Sequence, residues 1–344
     1  MRLCGKAVIL KIKSDRIMKL VKLPGNYLPR RLTFYLAMEE YVAREMPAGH
    51  DYFFTWQSEP TVIAGRNQLI EAEADTEYCR RNGIAVVRRK SGGGCVYSDM
   101  GNLMLSCVTD GGQVGFVFDR YLRRIALALS KKGIAAQVSG RNDITVEGRK
   151  VSGNAFLQLP GGRCIIHGTL LCETDLGRME RALTPAAGKL ESKGVASVRS
   201  RVVNLKDIAG TGTEEMRLWM EREMCDGETL LGDDAVGRIK EIEKTYLDPL
   251  FVGGKNPPFT ITRRVRTAGG EVCLKADVRN GIIKSVSLTG DFLSCGDPSV
   301  AVGKALAGRR FSEEEARKSL EGIDMRQYIS GLTTEKFIET LFKP

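Results

Sequence analysis

Lys150 carries the most chemical promise, in the run Asp143-Ile144-Thr145-Val146-Glu147-Gly148-Arg149-Lys150-Val151-Ser152-Gly153-Asn154. Ile144 to Val146 reads as one arm of a hairpin and Glu147-Gly148 as its turn. The return arm carries Lys150 among small neighbours. A lysine so placed can hold an anion and meet negative charge as it develops. Most strand lysines merely face water, so the residue needs company. Upstream, Arg88-Arg89-Lys90-Ser91-Gly92-Gly93-Gly94 lies between two apolar runs, Ala85–Val87 and Leu103–Val108. Consecutive glycines allow positive φ and let a ligand approach the main chain. Converging N–H groups in such a turn form a hollow for an anion, and Arg89 offers a planar fork for phosphate. A tight surface turn with solvated basic neighbours is the plainer alternative, and this stretch alone leaves it open.

Other polar positions are read the same way. Asn142 and Asp143 offer oxygen ligands to Mg²⁺ or a nucleotide, or else form an Asx turn. His167 and Thr169 interrupt the apolar strand Ile165–Leu171. A lone histidine on such a strand is more often a satisfied core residue, so His167 reads as a pocket contact and not as a general base. Lys189–Val202 is a basic, serine-rich loop. Trp56, Val62, Ile63 and Val96 are candidate walls for an apolar pocket, or plain core.

The elements that must position these residues are irregularly alternating helices and strands, the mark of an α+β fold. Thr33 can cap a helix whose Phe34, Ala37, Met38, Tyr41 and Val42 line one face. Phe53–Trp56 and Val62–Gly65 read as paired strands. Ala72–Asn82 reads as a helix ended by Gly83, and Phe118–Lys132 as a longer one stopped by Gly133. Thr213–Cys225 and Ala235–Thr245 are further helices, and Val252–Pro258 is a linker-like loop. Val272, Leu274, Ala276 and Val278 alternate with polar residues before Asn280-Gly281, a strong hairpin signal. Ser312 with Glu315 forms a capping box, and Thr333–Phe342 closes the chain.

Four blocks, in this order, resemble the lipoate–protein ligase A family. Arg88–Asn102 is similar to its RRxSGGGAVYHDxGN block and Gly140–Ala155 to its GRNDI…GRKxSGNA block. His167–Leu171 matches HGTLL, and Lys189–Leu205 resembles KLxSKGIxSVRSRVxNL. The resemblance runs from Leu32 to the C-terminus. It implies a mixed β-sheet with flanking helices, biotin/lipoate ligase-like, plus a small α+β C-terminal domain. The expected divisions are a poorly ordered extension (1–17), a catalytic domain (18–230), a linker with a helix (231–258) and an accessory domain (259–344). The implied reaction is ATP-dependent activation of lipoate to lipoyl-AMP. Transfer then follows to a lysine of apo lipoyl-carrier domains, the 2-oxoacid dehydrogenase E2 subunits and the glycine cleavage H protein.

On this resemblance Lys150 is the catalytic residue, binding carboxylate and α-phosphate. ATP and the adenylate fall to Arg89, Gly92, Gly93, Gly94, Cys95, Val96, Tyr97, Asn142, Asp143 and Thr169, with Lys150. Gly92 to Tyr97 serve through their backbone. Lipoate falls to Gly93, Gly94, Ser98, His167 and Trp56, again with Lys150, and Mg²⁺ to Asp143. Ser98 stands where the family has histidine, and Cys95 where it has alanine. The first departure removes a hydrogen-bonding ring from the acyl-pocket region.

Composition fits a globular enzyme: 344 residues, 42% hydrophobic and 27% charged. No apolar run approaches the ~20 residues of a membrane span. The first seventeen residues lack the pattern of a secretory signal, and Met18 reads as an alternative start. Nine cysteines without a C-x-x-C pair indicate reduced thiols, hence a cytoplasmic protein, and two histidines leave little for a metal site. The net charge of +10 reads either as a solvated surface or as an attraction for acidic carrier domains and phosphates. No nucleic-acid-binding motif accompanies it. A monomer is expected.

Three rivals remain. An ATP-independent octanoyl- or lipoyl-transferase would pass the acyl group through a cysteine thioester. In such enzymes the cysteine follows a proline after the HG block, where this chain has Pro185-Ala186; Cys95 or Cys172 would have to substitute. A biotin ligase needs a Gly-Arg-rich block that this chain lacks. A non-catalytic carrier-binding protein would not need the Lys150 motif.

Overall fold

The computed structural model describes residues 17–342, except 26–28, 30, 67, 69, 112–113, 141, 184–200, 254–258, 291 and 293–296. The first half of the chain runs β1 (Met18–Lys22), α1 (Leu32–Glu45), β2 (Asp51–Trp56), β3 (Thr61–Ala64), α2 (Ile70–Glu73), α3 (Thr76–Arg81), β4 (Ala85–Arg88), β5 (Val96–Ser98), β6 (Asn102–Thr109) and α4 (Val114–Lys131). Then follow β7 (Ala136–Ser139), β8 (Asp143–Val146), β9 (Arg149–Gln158), β10 (Cys164–Leu171), α5 (Leu176–Ala182) and β11 (Gly227–Leu230). Eight of these strands form one sheet in the order β11-β1-β2-β6-β10-β9-β8-β7, while β4-β3-β5 form a second, smaller sheet. β1 pairs in parallel with β2 and β11, and the remaining neighbours in the large sheet are antiparallel. This is the mixed-sheet α+β architecture expected.

Period-2 alternation sorts the central strands into two layers. Phe53, Leu103, Leu105, Cys107, Ile166 and Leu170 pack on one side with α4 and the helix Thr213–Met224. Phe54, Trp56, Met104, Val108 and Ile165 pack on the other with α1 and the helix Asp233–Leu247. Because both faces are covered, β6 and β10 are buried from end to end. A third sheet, β12 (Phe259–Thr267), β13 (Gly270–Arg279) and β14 (Ile282–Gly290), has its own core with the helices Pro298–Leu306, Glu313–Ser319 and Thr334–Phe342.

Turn chemistry held as read. Glu147 and Gly148 take φ of 52° and 75°, and Asn280 and Gly281 take 52° and 72°, as a two-residue hairpin turn requires. Ser312 caps its helix by accepting from the Glu315 N–H.

Other expectations need correction. Thr33 lies inside α1 and does not cap it; its hydroxyl donates to the buried Glu243 carboxylate at 2.6 Å. The helix expected over 72–82 is broken at Asp75, whose side chain accepts from the Tyr78 N–H and starts α3 afresh. The strands expected to pair, β2 and β3, sit in different sheets. Within 231–258, Leu231, Ala235, Val236, Ile239, Tyr246 and Phe251 enter the same apolar cluster as α1. Of the expected extension only Ile17 falls within the described residues.

Candidate functional site

β8 and β9 pair with an irregularity: Ile144 faces Ser152, but Thr145 faces Lys150, leaving Val151 without a partner. The surplus residue is a β-bulge, and it changes the phase of the strand. Without it Lys150 and Gly153, three apart, would face opposite sides. With it, Val151 and Ser152 are both fully buried, and Lys150 and Gly153 share the other face. The Lys150 Nζ reaches 2.8 Å from where a Cβ on Gly153 would stand. It also pairs with Asp143 Oδ1 at 2.7 Å. Both side chains keep about a third of their surface exposed, 37% and 35%, so the ammonium is fixed but reachable.

Two residues beyond Gly153 on the same face, ~7 Å along the strand, is Ala155. A Cβ added to Gly93 would lie 3.9 Å from the Ala155 methyl. The glycine turn therefore stands over the face that carries the Lys150 ammonium. Across from Ala155 is His167, and two residues further along β10 is Thr169, whose hydroxyl accepts the Gly153 N–H at 3.2 Å. Lys150, Gly93, His167 and Thr169, predicted from separate stretches, come together on this face.

The basic run before the glycines fans out, each side chain to its own task. Arg88 is fully buried; its guanidinium donates to the carbonyls of Gly65, Gln68 and Val252 at 2.9, 2.7 and 2.8 Å. Arg89 turns its fork onto the glycine turn itself. Nη2 donates to Gly92 O and Gly94 O at 2.7 and 2.8 Å, Nη1 to Ile63 O at 3.1 Å, and Nε to Ser91 Oγ at 3.0 Å. Burial pushes this guanidinium down to about 10, so it stays cationic at neutral pH. Lys90 bonds the buried Glu40 at 2.5 Å and lies 4.8 Å from the centre of the Tyr246 ring.

Sequence reasoning passed over Ser91 and Glu39. His167 Nε2 is 2.7 Å from Ser91 Oγ, and His167 Nδ1 is 2.8 Å from Glu39 Oε2. Glu39 Oε1 accepts from Ser106 Oγ at 2.6 Å, and Ser106 accepts from Trp56 Nε1 at 2.9 Å. The sequence carries a signal in Glu39-Glu40, two acids inside the largely apolar run Leu32–Ala43; the helix is buried throughout that run, and buried acids need partners.

The remaining candidates divide. Trp56, Ile63 and Val96 share one apolar cluster, with Trp56 stacked on Tyr35 at 4.6 Å. Val62 and Tyr97 face the opposite way, into the cluster of Cys79 and Met179. Ser98 is buried, with its hydroxyl 3.3 Å from that of Ser58. The Asn142 amide donates to Asn154 O at 2.9 Å, and its carbonyl accepts the Asn154 N–H at 2.9 Å, so the pair clasps β8 to β9. Burial raises the Cys95 and Cys172 thiols to about 12, which leaves neither primed as a nucleophile. No group of three metal-ligating side chains occurs among the described residues. Pro185-Ala186, Arg141 and residues 189–200 of the basic loop lie outside them. No helix among the described residues is long and apolar enough to cross a membrane.

Residues 32–223 match the model of the lipoyl protein ligase A/B catalytic domain, and residues 256–341 that of the bacterial lipoate protein ligase C-terminus. The chain is 33% identical over 324 residues to the lipoate-protein ligase LplJ of Bacillus subtilis, covering 89% of this chain and 96% of that protein. It is 34% identical over 321 residues to lipoate–protein ligase 1 of Staphylococcus aureus, covering 90% and 96%. A solved bipartite lipoate protein ligase from Thermoplasma acidophilum superposes with a TM-score of 0.61 at 25% identity, covering 69% of this chain and 96% of that one.

Proposed function

The chain belongs to the lipoyl protein ligase A/B family, and from that premise we propose how its residues divide the work of joining lipoate to protein. The chain is an ATP-dependent ligase for lipoate. A carboxylic acid and an amine do not condense unaided in water; ATP activates the acid as an acyl-adenylate and pyrophosphate leaves. The protein must bring a carboxylate and an α-phosphate together against their repulsion, and must stabilise charge on the atoms that react.

Lys150 is the cation that does this. Its ammonium lies on the open face of β9 over Gly153 and on the same face as the glycine turn, and this is the observation that carries the reading. The anions of substrate displace Asp143 as its partner. Gly92, Gly93, Gly94, Cys95, Val96 and Tyr97 serve through their main chain, as the inward-turned Tyr97 ring requires. Arg89 shapes the turn through four hydrogen bonds and adds its charge beneath it. Thr169 fixes Gly153, Asn142 braces Asp143, and His167 supports the turn through Ser91. Trp56 walls the acyl pocket and Ser98 lies on the pocket side of β5, two residues from Val96.

Asp143 would be the carboxylate that holds Mg²⁺, which would offset the charge of the ATP phosphates. One carboxylate plus phosphate suits this ion, which keeps much of its own water. The acyl acceptors are lipoyl-carrier domains such as those of E2 subunits and the H protein, whose acidic surfaces the +10 charge favours. The protein acts as a cytoplasmic monomer.

ATP–pyrophosphate exchange with lipoate, octanoate and biotin offered in turn tests the reading. Lipoate-dependent exchange that Lys150→Ala abolishes is the expected result. Acyl transfer to the carrier without ATP would instead favour the cysteine route, against which the raised Cys95 and Cys172 thiols speak.

A further inference from the structure

A single chain of hydrogen bonds crosses the site from the wall of the apolar pocket to the glycine turn. It runs Trp56 Nε1 to Ser106 Oγ (2.9 Å), Ser106 Oγ to Glu39 Oε1 (2.6 Å) and Glu39 Oε2 to His167 Nδ1 (2.8 Å). It continues from His167 Nε2 to Ser91 Oγ (2.7 Å) and from Ser91 Oγ to Arg89 Nε (3.0 Å), and Arg89 ends it on the carbonyls of Gly92 and Gly94. Every side chain in it is buried, so each donor and acceptor must be matched within the chain.

With Glu39 ionised and the His167 ring neutral, the two ends fix the direction of every proton between them. Indole nitrogen and guanidinium can only donate, and a carboxylate can only accept. Ser106 therefore receives from Trp56 and gives its own proton to Glu39. Ser91 receives from Arg89 and gives its own proton to His167 Nε2. His167 is left to carry its hydrogen on Nδ1, and Glu39 accepts it. A charged Glu39 in α1 thus determines the tautomer of a ring on β10 and the orientation of a hydroxyl beneath the glycines. It also sets a buried negative charge against the buried Arg89.

We propose that Glu39 is a positioning residue for adenylate formation, acting through His167 and Ser91 to hold Arg89 and the glycine turn in the form that receives carboxylate and α-phosphate. The proposal rests on the reading of that turn as the anion cradle. A nucleophilic Ser91 is the other use that a Glu–His–Ser arrangement brings to mind. Ser91 is 1% exposed and already accepts the Arg89 N–H, so positioning is the role the geometry favours.

Glu39→Gln keeps shape and removes only charge and acceptor capacity. With its amide N–H₂ toward Nδ1, His167 would move its hydrogen to Nε2, and Ser91 would face two donors and turn its own hydrogen away from the ring. With the N–H₂ toward Ser106, the amide oxygen would keep the Nδ1–H and Ser106 would lose its acceptor. The chain has two histidines, so long-range ¹H–¹⁵N spectra of the imidazoles, assigned with His50→Gln, read the tautomer directly. The expected result is Nδ1–H on neutral His167 in the wild type. The kcat of lipoate-dependent ATP–pyrophosphate exchange should fall about tenfold to a hundredfold, the range for partners that orient reacting groups, with KM for ATP within about threefold. Should Glu39→Gln fail to fold, Ser91→Ala replaces it, with the same fall in kcat expected.

A wild-type ring protonated on Nε2 alone would overturn the proposal. So would Glu39→Gln or Ser91→Ala exchanging within twofold of wild type while Lys150→Ala is inactive. If Lys150→Ala were fully active too, the reading of the cradle itself would fail, and the two failures are thereby told apart.

Discussion

The ammonium of Lys150 fills the space in which any residue larger than glycine at 153 would carry its Cβ, with Nζ 2.8 Å and Cε 2.9 Å from that point. Gly153 is thus a seat for the lysine. A methyl there meets the far end of a flexible side chain, which can give way without disturbing the sheet. Gly153→Ala is expected to keep the melting temperature within a few degrees and to lower kcat about a hundredfold, since a displacement of ~1 Å at a reacting centre carries that cost. Calorimetry beside pyrophosphate exchange checks both halves.

Lys150→Ala removes the charge itself. Loss of a preorganised donor of this kind costs about 3–4 kcal/mol of transition-state stabilisation, a fall of roughly 10²–10³ in adenylate formation. The side chain is more than a third exposed, so urea denaturation should find the fold unchanged. Exchange at near wild-type rate would remove Lys150 from the mechanism.

Gly65 supports the turn from below. A Cβ there would come within 2.2 Å of the Gly93 carbonyl oxygen, and a main-chain atom cannot swing aside as a lysine does. Gly65→Ala should destabilise by about 1–3 kcal/mol, as overpacking does, and should impair exchange because the turn must move. A urea midpoint equal to wild type would show that the two segments are not in firm contact.

Arg88→Met tests the buried clamp. Its guanidinium ties the loop after β3 to Val252 at the end of the helix Pro249–Val252. A methionine leaves the buried Gly65 carbonyl and the half-buried carbonyls of Gln68 and Val252 without these donors. A buried carbonyl left unpaired costs roughly 1–3 kcal/mol, and a loss of at least that size is expected, read as a lower urea midpoint.

The cysteines give the pH-dependent prediction. Burial raises the Cys95 and Cys172 thiols to about 12, and a raised thiol keeps its proton until the pH approaches that value. At pH 8 about one in 10⁴ is thiolate. Alkylation of both should be slow at pH 8 and rise about tenfold per pH unit while the protein stays folded, and Cys95→Ser and Cys172→Ser should keep ligase activity. Fast labelling of Cys95 at pH 7 would reopen the thioester route.

Turn signals that act through the backbone alone are legible in the sequence, while the Thr33 cap and the unbroken helix over 72–82 are not what forms. Glu147-Gly148 and Asn280-Gly281 specify their turns through backbone preference alone, and Ser312 specifies a cap. Where a long side chain goes is a tertiary matter. Arg88, Arg89 and Lys90 are three neighbouring cations with three unrelated partners, and nothing in their spacing tells a phosphate ligand from a clamp on carbonyls. Val62 and Ile63 show the same limit, since alternation sends adjacent apolar residues to different clusters. Glu39 is the same case, since its partners Ser106 and His167 lie on strands far along the chain.

Val151 adds one unpaired residue to β9, and that surplus decides what the motif can do. A strand with the same residues but regular pairing could keep lysine, serine and glycine in order and still close its sheet. Its lysine and glycine would then stand on opposite sides, and the ammonium would lose its seat. Aligning residue types alone would not reveal the difference; the register of pairing would.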